Sequence, residues 1–301
     1  MKFLKGLALF ILGFLLSLSL IIFGPMLLIN QTALNPDFVS TQVQGLNLPL
    51  LAEDIARELI PPGQEYMTDI AVRVGMNTVA DEEDWLKQQA TIAIYTFYNY
   101  LEGESQHLSL EIPLDTFTET LRENLWQEVQ ADPPPELSYL PPEMLELEFN
   151  LFWDSFSEDI PSTLELDETM LDAEVMEQIE LAKRIVGYVN TAFIVLIALG
   201  LVLILLIILV HHEVKGSTRH LGITFLACGI PSLAGFFIAR FVAETQLVHT
   251  GLSAYLQTLI LQVIRDALTP LMIYGIALMA VGLILLIVSF VYRREEYEYY
   301  Q

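Results

Sequence analysis

The chain has 301 residues, 53% of them hydrophobic, with a mean hydropathy of +0.49 and a formal net charge of −24. It is too apolar for an ordinary soluble domain and too acidic for nucleic acid, whose phosphates require a basic surface. Its one cysteine, Cys228, excludes an intramolecular disulfide.

The chain opens Met-Lys-Phe-Leu-Lys and continues as an apolar run from Gly6 to Ile29. A basic start before apolar residues fits a secretory signal peptide, but this run is longer than an ordinary signal core. No small-x-small cleavage site follows it before Asn30. Residues 1–30 therefore read as a transmembrane anchor, or uncleaved signal anchor, with Pro25 expected to kink or end its last turn.

Residues 31–184 read as an acidic extracytoplasmic domain. Between Gln31 and Arg184 there are 32 Asp and Glu against six Lys and Arg, a net of −26 that accounts for the whole charge imbalance. The expected elements are mostly helical, with a minor β component. Asn35-Pro36-Asp37 is a cap signal before a short helix through Val43, and Leu50–Ile60 has helical spacing until Pro61-Pro62-Gly63 stops it. Asp81 reads as an N-cap, with Glu82, Glu83 and Asp84 in the first turn of a helix reaching Leu101. Trp85, Ala90, Ile94, Phe97 and Leu101 form its apolar face. Residues 108–112 alternate like a strand, and residues 162–166 are its expected partner. Between them, Asp115 caps a helix carrying Phe117, Leu121, Leu125, Trp126 and Val129. Pro141-Pro142 opens another, through Met144, Leu145, Phe149, Phe152, Trp153 and Phe156.

From Asp172, helical spacing runs without a breaker into the uncharged stretch Ile185–Val210. A helix over that stretch covers about 39 Å at ~1.5 Å per residue, against roughly 30 Å of bilayer hydrocarbon. The rest reads as a cytoplasmic loop over 211–220, a third span over 221–243, an amphipathic extracytoplasmic helix over 244–268, a fourth span over 269–292 and a tail over 293–301. The amphipathic segment either lies in the membrane interface or forms a stalk leading into the fourth span. The fold class is thus a mainly α membrane protein, with four transmembrane helices and a helix-rich domain between the first two. Placing both termini in the cytoplasm puts Lys2, Lys5, Lys215, Arg219, Arg293 and Arg294 inside, against Lys183, Arg184, Arg240 and Arg265 on the other face. The expected location is the plasma membrane.

The spans contain no Asp, Glu, Lys or internal His, so the usual marker of an ion or proton pathway is missing. Small residues recur instead in spans three and four. Gly229, Ser232, Gly235, Gly275 and Gly282 are the candidate helix-packing positions. His211, His212 and His220 are candidate metal ligands, but adjacent histidines diverge on a helix and a solvated loop explains them. The carboxylates Asp81, Glu82, Glu83 and Asp84, with Glu143 and Glu146, are candidate Ca²⁺ ligands. They lack the EF-hand spacing, and a helix start or a solvated face accounts for them. No cofactor is expected, and the expected cations are a diffuse atmosphere around the acidic domain.

No nucleophile elbow, His-Glu-x-x-His, P-loop or Cys-x-x-Cys occurs in the chain. The expected function is a non-enzymatic membrane protein presenting an acidic domain for protein interaction, scaffolding or sensing. Its partners are the lipid bilayer and a protein partner or second copy of the chain. The alternative is a lipid- or apolar-ligand-handling module, with a pocket enclosed by 82–101, 144–156 and 252–268.

Overall fold

The computed structural model describes residues 2–59, 65–134, 137–247 and 253–298. It is 83% helical, and among the described residues four helices are long and apolar enough to cross a membrane, the composition of a multi-pass membrane protein. The elements in chain order are α1 (Lys2–Gln31), α2 (Pro36–Gln44), α3 (Leu48–Leu59), α4 (Glu65–Asp81), α5 (Glu83–Glu102), β1 (Ser109–Pro113), α6 (Asp115–Ala131), α7 (Pro142–Ser157), β2 (Thr163–Asp167), α8 (Ala173–His211), α9 (Val214–Leu247) and α10 (Ala254–Glu298). They form two compact units, one from Met1–Phe38 with Arg184–Gln301 and the other from Val39–Lys183.

The first unit is built on α1, α9, α10 and the apolar part of α8. Its buried centre holds Leu16, Leu203, Ile207, Leu221, Phe225, Cys228, Tyr274 and Leu278. α9 and α10 approach most closely where glycine faces glycine. A Cβ on Gly222 would lie 2.9 Å from the Gly282 carbonyl oxygen, and one on Gly282 would lie 3.0 Å from that of Gly222. Gly229 and Gly275 repeat the arrangement at 3.1 and 3.3 Å. The repeat of seven residues on each helix keeps both contacts on one face. Only a missing side chain permits this approach. Gly235 points into open space and Ser232 donates to the Cys228 carbonyl at 2.9 Å, so neither makes the close contact.

Polar side chains in this unit close on the backbone. Ser17, Thr191, Thr218 and Thr224 each donate to the carbonyl four residues earlier, the arrangement by which hydroxyls satisfy themselves in a helix. Tyr274 donates across to the Leu20 carbonyl at 2.8 Å, and Asn30 bonds Asn190 at 3.2 Å. Pro25 lies inside α1, which continues past it to Gln31.

Two of the connections are more helical than expected. The cytoplasmic loop over 211–220 shrinks to His212 and Glu213, because α9 begins at Val214. Within this polar stretch Ser217 and Thr218 donate to the Glu213 and Val214 carbonyls, and His212, between the two helices, takes a left-handed φ of 56°. Among the described residues the stretch 244–268 does not stand as a helix of its own. Its first residues belong to α9, which reaches Leu247, and from Ala254 it is continuous with the fourth span through Pro270.

The second unit contains α2 to α7, the antiparallel pair β1–β2 and the first turns of α8. β1 and β2 are antiparallel, with Ser109 opposite Asp167, Leu110 opposite Leu166 and Pro113 opposite Thr163. α4 was not expected from the pattern. Its buried stripe of Ile70, Val74 and Thr78 has helical spacing, but Gly75 and β-branched residues dilute the signal. Asp81 consequently ends α4 instead of capping α5, whose N-cap Glu82 makes no side-chain capping bond to the helix. Asp115 similarly sits in the first turn of α6, with Leu114 at the cap. Gly103 closes α5 at φ 81°, and its N–H reaches the Asn99 and Tyr100 carbonyls. The stop predicted at Pro61-Pro62-Gly63 lies outside the described residues.

Gly229→Val places a branched side chain against Met279 and the Gly275 carbonyl. It is expected to destabilise the α9–α10 pair by about 2 kcal/mol. Gly235→Ala meets nothing and should leave stability unchanged or raise it by up to about 1 kcal/mol. Thermal unfolding of the two variants in one detergent separates them.

Candidate functional site

α7 carries apolar side chains on two faces. Leu145, Phe149 and Trp153 recur every four residues and are buried, with Phe149 set 4.8 Å from the Trp126 ring of α6. On the other side Met144 is 54% exposed, and Leu147 and Leu151 are each 59% exposed. A helix apolar all round is ordinarily covered on all sides. Here one stripe faces outward, between the exposed carboxylates of Glu143, Glu148, Asp154 and Glu158.

An apolar cavity of about 250 Å³ opens beside this helix. Ile70 of α4, Leu125 and Val129 of α6, and Pro134 and Leu137 form most of its wall. α7 contributes Phe149, Phe152 and one carboxylate, Glu148. Phe152, 54% exposed, belongs both to the cavity and to the edge of the outward stripe. Of the three stretches expected to enclose a pocket, only 144–156 contributes. The stretches 82–101 and 252–268 do not line it, because α4, absent from the sequence reading, takes that place.

The candidate cation ligands are dispersed among protein partners. Asp81 accepts from Asn124 at 2.9 Å, and Asn124 also reaches the buried Thr78 hydroxyl. Glu82 accepts from Thr120 at 2.6 Å. Glu83 pairs with Lys87 at 2.9 Å, and that contact holds its carboxyl below the ordinary carboxylate range. Asp84 and Glu143 are exposed, and Glu146 lines a polar cleft with Arg122 and Asn150. Among the described residues no three His, Cys, Asp or Glu converge on one point where a metal would sit.

Of the three candidate histidines only His212 lies in the exposed connection. His211 ends α8 and His220 lies inside α9, with their rings 5.7 Å apart. His220 Nε2 is buried without a hydrogen-bond partner, and it faces Gly13 of α1 so closely that a Cβ there would land on it. Two imidazoles fall short of the four ligands that a closed zinc site requires. His107 stands apart beside Glu168, at 3.7 Å.

A polar tie that the sequence did not reveal joins α5 to the start of α8. Tyr100, 2% exposed, donates to Glu180 at 2.6 Å, while the Lys183 ammonium lies 3.9 Å from the ring centre. The hydrogen bond to Glu180, reinforced by burial and by the Glu180 and Glu168 charges, pushes the phenol up to about 12. Burial beside Glu102 raises Tyr98 as well.

No protein-family model, no curated protein and no solved structure matches the chain.

Tyr100→Phe keeps the packing and removes the bond to Glu180, and should cost about 1.5–2 kcal/mol. The native phenol holds its proton to about 12, whereas an unfolded tyrosine loses it near ~10. The native state thus binds more protons in that window, and its stability falls as pH rises through it. Denaturation midpoints at pH 8 and 11 should fall less with pH in Tyr100→Phe than in the parent.

Proposed function

We propose that this chain is a non-enzymatic plasma-membrane protein that holds its acidic segment on the extracytoplasmic side as a protein-interaction module, in a scaffolding or sensing role. The observation that carries this reading is the outward stripe of α7. Large apolar side chains are left uncovered on a helix in a domain that is otherwise rich in carboxylates. Uncovered apolar surface rimmed by polar residues marks interaction sites.

The orientation rests on the charges beside the spans. Six Lys and Arg flank the short segments of one face and four those of the other, a bias toward cytoplasmic termini. It leaves very little chain in the cytoplasm, so the mass available for contact with a partner lies outside.

A second reading is favoured by one observation, the apolar cavity of about 250 Å³. In it the domain receives the apolar part of a lipid or similar ligand. Mass spectrometry of gently extracted protein discriminates: one lipid per chain supports this reading, and a bare protein counts against it.

The orientation is tested by cysteine labelling. With Cys228→Ser as background, an impermeant maleimide added to intact cells should label Glu104→Cys and Asp132→Cys at once, and Glu213→Cys only after permeabilisation. All three positions are exposed. Labelling of Glu213→Cys but not Glu104→Cys in intact cells would reverse the assignment.

A further inference from the structure

We propose that the outward stripe of α7 and the cavity beside it dock an amphipathic helix from another protein, with Lys or Arg on both flanks of its apolar face. This rests on the reading of the acidic segment as an interaction module and names the partner's chemistry. Met144, Leu147 and Leu151 stand at i, i+3 and i+7, two turns of apolar surface at the spacing that another helix's stripe meets. At its edge Phe152 leads into the cavity, whose volume of about 250 Å³ admits one large apolar side chain. Fully desolvated anchors of that kind dominate helix-in-groove binding.

Charge selects the occupant. From Pro142 to Asp159 the chain carries Glu143, Glu146, Glu148, Asp154, Glu158 and Asp159, and no Lys or Arg. Glu143 and Asp154 flank the stripe on one side and Glu148 on the other, at the mouth of the cavity. A second copy of this chain would bring the same carboxylates to the interface and be repelled. Anionic lipid is repelled for the same reason. A helix with cationic flanks neutralises both rows of carboxylates while its apolar face covers the leucines.

The test uses the full-length chain in discs of zwitterionic lipid, with empty discs as reference. The probe is an 18-residue Leu/Lys amphipathic helix carrying a photoreactive group at a central Leu position. A matched peptide has Glu in place of Lys. The expected result is saturable binding above empty discs, with cross-links on Leu147, Leu151 or Phe152. Affinity should fall at least tenfold in Leu147→Ser/Leu151→Ser. It should fall at least threefold, with a shallower salt dependence, in Glu143→Gln/Glu148→Gln/Asp154→Asn, which keeps the apolar stripe. All these side chains are exposed, so neither variant disturbs the buried face of α7. Equal binding of the Glu peptide, cross-links outside α7, cross-links between two copies, or a lipid that fills the cavity and excludes the peptide would each overturn the proposal. If the peptide fails while Glu104→Cys still labels from outside, only this surface is lost. If the labelling fails too, the interaction reading falls with it.

Discussion

A backbone amide in hydrocarbon has no water to bond, and that constraint bears on the four helices of this chain that are long and apolar enough to cross a membrane. It forces each apolar stretch into an unbroken helix that satisfies its own N–H and C=O groups. It also accounts for the hydroxyls of the first unit, which turn back onto carbonyls of their own helix, and for the cross-helix bonds of Tyr274 and Asn30. Without a hydrophobic drive between helices in lipid, close contact has to come from shape. The facing pairs Gly222 with Gly282 and Gly229 with Gly275 supply it.

α8 joins a charged stretch and an uncharged one in one element. Its first turns carry Glu174, Glu177 and Glu180, the last of these bonded to Tyr100. Past Lys183 and Arg184 the same helix becomes uncharged as far as Val210. Nothing in the backbone marks the change, and the boundary is purely one of side-chain chemistry. The 39 residues from Ala173 to His211 are therefore a continuous α-helix with two environments written along it.

Much of this was legible from residue order because it is local. The strand pair 108–112 with 162–166, the helix opened by Pro142 and the run of α8 through Arg184 all follow from periodicity and caps, and the structure contains each within a residue or two. What was not legible depended on neighbours distant in sequence. α4 hid because Gly75 and Thr78 weaken its pattern, and its burial depends on α6, through Asn124. Gly235 and Gly229 look alike in sequence, and only the path of α10 tells which of them is pressed against a backbone. The part α4 plays in the cavity beside α7, through Ile70, was hidden for the same reason. The connection over 211–220 was read from its position between two apolar runs, and within it the Ser217 and Thr218 hydroxyls close on their own helix.

The functional account therefore depends on a partition between lipid and water that is set by side chains along continuous helices. Spin labels placed singly at Glu177, Tyr188, Leu201 and Leu209, all exposed on α8, test it most directly in bilayers. Collisions with oxygen, which dissolves in lipid, are compared with those of a water-soluble nickel complex. The account predicts nickel access at Glu177 and a crossover near Tyr188, then high oxygen and negligible nickel access at Leu201. Nickel access at Leu201 equal to that at Glu177 would contradict it.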